Sequence, residues 1–537
     1  MNEGFLWWRD GVIYQIYPRS FADSNGDGIG DLQGILSKLD YLESLGVDAI
    51  WLSPVYPSPD ADFGYDVSDY LNIDPKFGSL ADFDALVKGC HQKGIRVIMD
   101  LVLNHTSEQH PWFVESRSSR DNPKHDWYLW KDPSPHGGVP NNWLSVFGGA
   151  GWEYVAERGQ YYFHMFYPQQ PDVNWRNPQV REEMLNVFRF WAERGVDGFR
   201  LDVFNDYYKD AEFKNNPPKF GVRPFDRQHH LYDVSQPEML PLLHEIRSLL
   251  DQYPQRYAVG ETFLSDDQAK TAAEYVGDDR LHAAFNFGFT HCKWDPGQFL
   301  RSIQHWEACL GENAWPTYVL NNHDVPRSAS RYTRGEDDRR LKVAAAMLLT
   351  LRGTPFLYYG EEIGMRDTRI KYSEIQDPMG KRYWPVMIGR DGCRSPMQWN
   401  AEPFAGFSEV KPWNKVHSNY LTRNVDIQQK NPDSLYHFYR KLIQLRKETP
   451  ALINGMFLPL VHEPRYIFAY LRQLQGQTAL VALNFSRRKL PLMLSGRMIT
   501  GKPWQLVLSS RMDALPELSG TRLNLEPYEA SIYLVNE

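Results

Sequence analysis

Two charged residues break the apolar run GFRLDV (198–203), Arg200 and Asp202. Side chains of an extended chain alternate between faces, so these two share one side and Phe199, Leu201 and Val203 the other. A guanidinium beside a carboxylate favours its ionised form. Three further apolar runs end in the same fashion: RYAVGETF (256–263) reaches Glu261, TYVLNNHD (317–324) reaches His323 and Asp324, and IRVIMDLVLNH (95–105) reaches Asn104 and His105. Three carboxylates with an Arg and two His suit glycosidic bond cleavage, in which one carboxylate attacks the anomeric carbon and a carboxylic acid protonates the leaving oxygen. Arg200 assigns the attack to Asp202. The apolar approach AVG, with carboxylates nearby, would raise the pKa of Glu261, which makes it the acid/base candidate. Asp324 is left to stabilise developing positive charge. The sequence shows no Ser-His-Asp pattern, no Gly-rich phosphate loop before a helix, and no HExxH or CxxC metal set.

Such residues converge only if the strand ends do. Eight strand-like runs (12–18, 47–54, 95–105, 196–203, 256–263, 282–287, 317–324 and 354–362) are mostly preceded by helical patterns such as VREEMLNVFRFWAERG. That alternation predicts α/β architecture, a (β/α)8 TIM barrel whose site lies at the C-terminal strand ends. Residues 106–175, rich in Pro, Trp, Gly and Asn, are too long for a bare loop and predict a small inserted domain after strand three. A second irregular insertion spans 365–425. The barrel then comprises 1–105 and 176–454, with the helical DSLYHFYRKLIQLRKE (433–448) near its end. From 455 to 537 short alternating strands predict an antiparallel β-sandwich.

Composition narrows the partners. With 537 residues and a net charge of −8, the chain lacks the basic face that a nucleic acid or an anionic membrane requires. The aromatic share of 14% suits a site that stacks flat apolar faces. Four cysteines without CxxC spacing read as free thiols, the N-terminus lacks a signal peptide, and no run approaches 18 apolar residues. A cytoplasmic enzyme acting on a small oligosaccharide or disaccharide is the expectation, with the oligomeric state open.

The four strand-end blocks DLVLNH (100–105), GFRLDV (198–203), GETF (260–263) and NNHD (321–324), with QPDVNW (170–175), resemble those of the α-amylase superfamily, in its oligo-1,6-glucosidase and α-glucosidase branch. The resemblance implies a retaining mechanism with Asp202 as nucleophile, Glu261 as acid/base and Asp324 as transition-state stabiliser. It implies that Arg200, His105 and His323 contact the glucosyl unit. Tyr65 and Asp66, in GYDVSDY (64–70), resemble the pair that binds the terminal glucose, and Arg394, in GCRSPMQW (392–399), the arginine paired with that aspartate. Phe166 and Gln170 are candidates for the next subsite. In this branch Val after the nucleophile accompanies α-1,6 substrates, so Val203 favours α-1,6 over α-1,4. The same intermediate would serve a transglucosylase, a sucrose isomerase or a trehalose synthase, although no RLDR-type motif is present. A non-catalytic transporter-associated barrel would need a membrane helix that the sequence lacks.

DSNGDGIGD (23–31) sets Asp23, Asn25, Asp27, the Ile29 carbonyl and Asp31 at alternate positions, an oxygen set for a hard cation. Gly34 at the twelfth position excludes an EF-hand. The resemblance implies a structural Ca2+, or Mg2+, at this loop.

Overall fold

The computed structural model describes residues 4–311, 314–461, 465–494, 503–511 and 521–536. Eight parallel strands, Ile13–Ile16, Ala49–Leu52, Arg96–Leu101, Gly198–Leu201, Tyr257–Gly260, Ala283–Ala284, Thr317–Val319 and Thr354–Tyr358, form one sheet in which the first pairs with the second and the eighth. Each lies within an apolar run of the sequence. Among the described residues no ladder joins the sixth and seventh strands. Thr317 spans that seam, its hydroxyl donating to the Ala284 carbonyl at 2.6 Å. The barrel is therefore closed except for one side-chain bridge.

Alternation sorts the side chains. Trp51, Ile98, Val259, Phe285 and Phe356 pack together as one cluster, while Val97, Met99, Leu101, Phe199 and Leu201 belong to the large core beneath the helices. Helix Pro178–Glu193 shows how the covering layer forms. Asn177 caps its N-terminus by accepting from Gln179 and Val180 N–H, Pro178 occupies the first turn, and Val180, Met184, Val187, Phe188 and Trp191 make one buried stripe. Phe188 meets Phe199 edge-on, with ring centroids 5.2 Å apart.

Register then levels the strand ends. Asp100 stands opposite Arg200, and Leu201 opposite Gly260. Asp202 and Glu261, the next residues, leave adjacent strands at the same height. Neighbouring strands lie about 4.8 Å apart. Gly260 has no alternative, because a Cβ there would stand 2.4 Å from the Phe204 ring and 2.5 Å from Leu281.

Between the third and fourth barrel strands, Trp130–Lys131, Trp152–Val155 and Gln160–Phe163 form a small antiparallel sheet with the last of the three in the middle. Towards the C-terminus lie a five-stranded and a two-stranded antiparallel sheet. Leu471, Leu480 and Ala482 of the larger share a core with Leu492, Leu523 and Leu525 of the smaller. Helix Leu435–Glu448 packs against helices Arg339–Thr350 and Leu39–Leu45.

Candidate active site

Arg200 is 1% exposed and organises the floor of the barrel mouth. Its Nη1 donates to Asp100 Oδ1 at 2.7 Å and to Asp202 Oδ1 at 2.6 Å, and its Nη2 pairs with Glu261 Oε2. Two carboxylates from neighbouring strands thus meet two nitrogens of one guanidinium. Register sets the two residues side by side on neighbouring strands.

One guanidinium is shared among three carboxylates. Burial pushes Asp202 up to about 7; Arg200 opposes this, while Asp100 and Asp324 reinforce it. Asp100 is likewise raised by burial against the pull of Arg200. The sequence argument that Arg200 alone keeps Asp202 charged is corrected here: Asp100, on the third strand, consumes part of the same guanidinium. Asp324 behaves differently. Burial raises it, but His323 and the guanidiniums of Arg390, Arg394 and Arg200 outweigh burial and hold it below the usual carboxylate range.

Above this floor the polar side chains run round the cavity. Gln15 Nε2 donates to His323 Nδ1 at 2.8 Å, which leaves the His323 proton on Nε2, 2.7 Å from Tyr65 Oη and 3.2 Å from Asp324 Oδ2. The Tyr65 and His323 rings stack at 5.4 Å, 3° from parallel. Asp324 Oδ1 accepts from Arg394 at 2.8 Å and Arg390 at 3.3 Å. Arg390 Nη2 continues to Asp62 Oδ1 at 2.7 Å and Asp377 Oδ1 at 3.1 Å. Gln170 Nε2, 3.4 Å from Asp62 Oδ2, lies 3.1 Å from His105 Nε2, and His105 in turn lies 3.0 Å from the Tyr65 carbonyl. Burial lowers His105 to about 4 and His323 to about 3, so both rings are neutral hydrogen-bonding groups at neutral pH.

Two expected residues are replaced by neighbours four positions away. Asp66 is fully buried, and its carboxylate accepts from Ser58 Oγ at 2.8 Å, Ala61 N at 2.9 Å and Asp62 N at 3.0 Å. It braces the loop and does not face the cavity. Arg394 bonds the His323 carbonyl at 2.8 Å and Asp324, not Asp66. The acid–arginine pair lining the cavity is Asp62 and Arg390. Val203 also departs from the strand pattern. The strand stops at Leu201, and Val203 turns left-handed at φ 36°, ψ 41°, so its side chain joins the cavity wall with Phe166 and leaves the face of Phe199 and Leu201. A β-branched residue in that conformation is strained.

Tyr65, His105, Phe166, Gln170, Asp202, Val203, Glu261 and Asp324 all line one cavity of about 640 Å³, with Asp62 and Arg390 at its polar side. Arg200, His323 and Arg394 lie behind these residues and act on the cavity through them. Asp100, Asp62, Asp377, Arg390 and Gln15 escaped the reading of the sequence. Asp100 left a usable signal, since it interrupts IRVIMDLVL as Arg200 interrupts GFRLDV. The others left none. DADFGYD offers three aspartates (Asp60, Asp62 and Asp66) and RDGCR offers two arginines; spacing alone does not choose among them.

The family model for the α-amylase catalytic domain matches residues 15–455. The chain belongs to the α-amylase family. It is 45% identical over 494 residues to a probable α-glucosidase of Rhizobium meliloti, covering 89% of each chain. It is 39% identical over 566 residues to an oligo-1,6-glucosidase of Parageobacillus thermoglucosidasius, covering 99% of each. Among solved structures, an α-glucosyl transfer enzyme superimposes with a TM-score of 0.94 at 42% identity, covering 99% of this chain and all of that one.

In this α-amylase-family barrel the carboxylates of the 23–31 loop accept mostly from the loop's own N–H groups. Asp23 accepts from the N–H groups of Asn25, Gly26 and Gly28 and from Ser408 Oγ, Asp27 from Ile29 N–H, and Asp31 from Ser24 and Gly34 N–H. Among the described residues no three His, Cys, Asp or Glu side chains cluster for a metal. A buried lysine ties the inserted segment to the barrel. Lys209 Nζ lies 2.7 Å from Asp172 Oδ2 and 2.9 Å from Asn104 Oδ1, with both charged partners almost fully enclosed. Among the described residues no helix is long and apolar enough to cross a membrane.

Proposed function

We propose that the protein is a retaining α-glucosidase that removes glucose from the non-reducing end of short α-glucosides, with α-1,6 links favoured over α-1,4. The observation that carries this reading is the pairing of two cavity-lining carboxylates from adjacent strands, Asp202 and Glu261, with one guanidinium behind them. Asp202 attacks the anomeric carbon as Glu261 protonates the leaving oxygen. A water deprotonated by Glu261 then releases glucose with its α configuration kept. Asp324, held ionised by the guanidiniums of Arg390, Arg394 and Arg200, stabilises the oxocarbenium-like transition state. Asp62, Arg390, Tyr65, His105 and Gln170 bind the glucosyl hydroxyls and close the cavity beyond them, which restricts attack to chain ends. The relatives named α-glucosidase and oligo-1,6-glucosidase support the activity. Val203, next to Asp202 in the cavity wall, supports the α-1,6 preference.

The experiment is turnover of isomaltose, maltose, sucrose and trehalose, with the anomer of the first glucose released read by NMR, repeated with D202N, E261Q and V203T. Release of β-glucose, or turnover undiminished in D202N, would refute the mechanism; an unchanged isomaltose-to-maltose ratio in V203T would refute the linkage assignment. A second reading, glucosyl transfer to a hydroxyl acceptor, is favoured by the neighbour named an α-glucosyl transfer enzyme. Transfer products outnumbering free glucose at high substrate concentration would select it.

The proposal places the enzyme in a reducing compartment, supported by four free cysteines. It also includes a hard cation at the 23–31 loop, supported by the all-oxygen donors Asp23, Asn25, Asp27, Asp31 and the Ile29 carbonyl, which must turn from their loop N–H partners to bind it. Chelation should then lower the melting temperature and added Ca2+ restore it. No response to either would leave the loop held by its own hydrogen bonds.

A further inference from the structure

A second cavity, of about 1020 Å³, lies where helix Pro296–Cys309 of the barrel meets the C-terminal sheet, and it shares no lining residue with the active-site cavity. Antiparallel register builds one side of it. Ile467 stands opposite Asn484, and Phe485 N–H donates to the Tyr466 carbonyl at 2.7 Å. Arg465 and Tyr466 therefore enter one strand where residues 485–488 leave the next. The turn after Asn484 is firmly held. Asn484 is fully buried; its Nδ2 donates to the Arg488 and Glu526 carbonyls, each at 2.7 Å, and its Oδ1 accepts from Ser486 N–H at 2.9 Å. Arg488 N–H in turn donates to Ser486 Oγ at 3.1 Å. Arg487 and Arg488 are thus presented on an ordered turn. Arg301 lines the cavity from the helix, and Trp294 ties the two sides together, its Nε1 donating to the Phe485 carbonyl at 2.9 Å.

Four guanidiniums, those of Arg301, Arg465, Arg487 and Arg488, line this one cavity. Among the described residues none of the four forms an ion pair or a side-chain hydrogen bond, whereas Lys489, the next residue, pairs with Glu526 at 2.6 Å. Asp295 is the one carboxylate among the described lining residues. It caps the helix, accepting from Gly297 N–H at 2.8 Å and Gln298 N–H at 3.4 Å. Like charges gathered in this way repel, and an anion seated among them relieves the repulsion. Tyr466 adds a second kind of contact. It is 54% exposed, and among the described residues its ring stacks on no other and its hydroxyl has no partner. Trp294 and Phe485, by contrast, already face each other at 4.4 Å. A free aromatic face beside unpaired guanidiniums suits a planar ring that carries phosphates. The cavity is larger than inorganic phosphate fills, and four arginines in one cavity do not make the extended basic face that a nucleic acid needs.

We propose that this junction cavity binds a nucleoside di- or triphosphate, with the phosphates among Arg301, Arg465, Arg487 and Arg488 and the base against Tyr466. The site is separate from the glucosidase chemistry and does not depend on that reading.

The test is calorimetric titration of the whole protein with ATP, tripolyphosphate and glucose 6-phosphate. An exposed ion pair is worth up to about fivefold in affinity, so R301A/R487A should weaken ATP binding by up to about 25-fold. Stacking of a base on an aromatic ring is worth at least about fivefold. ATP should therefore bind more tightly than tripolyphosphate by that factor, and Y466A should remove the difference. Glucose 6-phosphate, with one phosphate and no planar ring, should bind more weakly than either, and all three should weaken as salt rises. Binding of one ATP per chain that responds to both variants supports the proposal. Absence of ATP binding at millimolar concentration, an unchanged Kd in R301A/R487A, or tripolyphosphate as tight as ATP overturns it. The variants alter exposed side chains, so a melting temperature equal to the parent's shows that a weaker Kd reports lost contact and not lost folding. R487E, which reverses one charge on the same turn, gives a second check: ATP binding undiminished there also overturns the proposal.

Discussion

Replacing Asp62 with Asn separates the residue that faces the sugar from the one that builds the loop. Asp62 accepts from Arg390 at 2.7 Å and lines the cavity, whereas Asp66 is enclosed and accepts from Ser58, Ala61 and Asp62. A hydrogen bond to a charged group is worth about 1.5–3 kcal/mol. D62N removes one between Asp62 and a glucosyl hydroxyl, and kcat/KM should fall roughly 10- to 150-fold. Arg390 keeps Asp377 and Asp324 as partners, so the melting temperature should hardly move. D66N is the opposite case. Its amide keeps one acceptor oxygen and turns an NH2 towards a backbone N–H that the carboxylate had satisfied, a cost of about 1–3 kcal/mol in stability. Steady-state kinetics on isomaltose and calorimetric melting of both variants make the assay. Full activity in D62N, or lost activity in D66N at an unchanged melting temperature, would refute the assignment.

The pH profile follows from the crowding around Arg200. A carboxylate that must be ionised to attack loses activity as pH falls through its pKa, so kcat/KM should drop on the acid side of about 7, the value to which burial pushes Asp202. Asp324, His323 and His105 all titrate well below this range and should add no limb near neutrality. In D100N the guanidinium serves fewer carboxylates, and the acid limb should shift to lower pH; a shift to higher pH would contradict the sharing of Arg200. K209M leaves Asp172 ionised and enclosed without its cation, at a cost of about 3–5 kcal/mol, read as a lower melting temperature that K209M/D172N partly recovers. Equal melting of K209M and the parent would show that the pair contributes nothing.

The sequence by itself determined the barrel, because an apolar run that must be buried on both faces leaves little choice of partner, and helices between such runs impose parallel order. It also singled out Asp202, Glu261 and Asp324, which line one cavity, because a charge at the end of a buried strand is conspicuous. Only the tertiary structure decided which loop residues complete the site. Asp62 and Arg390 lie 328 positions apart in irregular segments, where no periodicity assigns a direction to a side chain, and the resemblance pointed to Asp66 and Arg394 instead. The ionisation of Asp202 was decided there too, because it depends on how many carboxylates share one guanidinium, and that number is fixed by strands meeting in space. The apolar part of the active-site cavity wall gathers Val203, Phe225, Phe263 and Met379 from four separate stretches of chain, and their common face exists only once the barrel has closed.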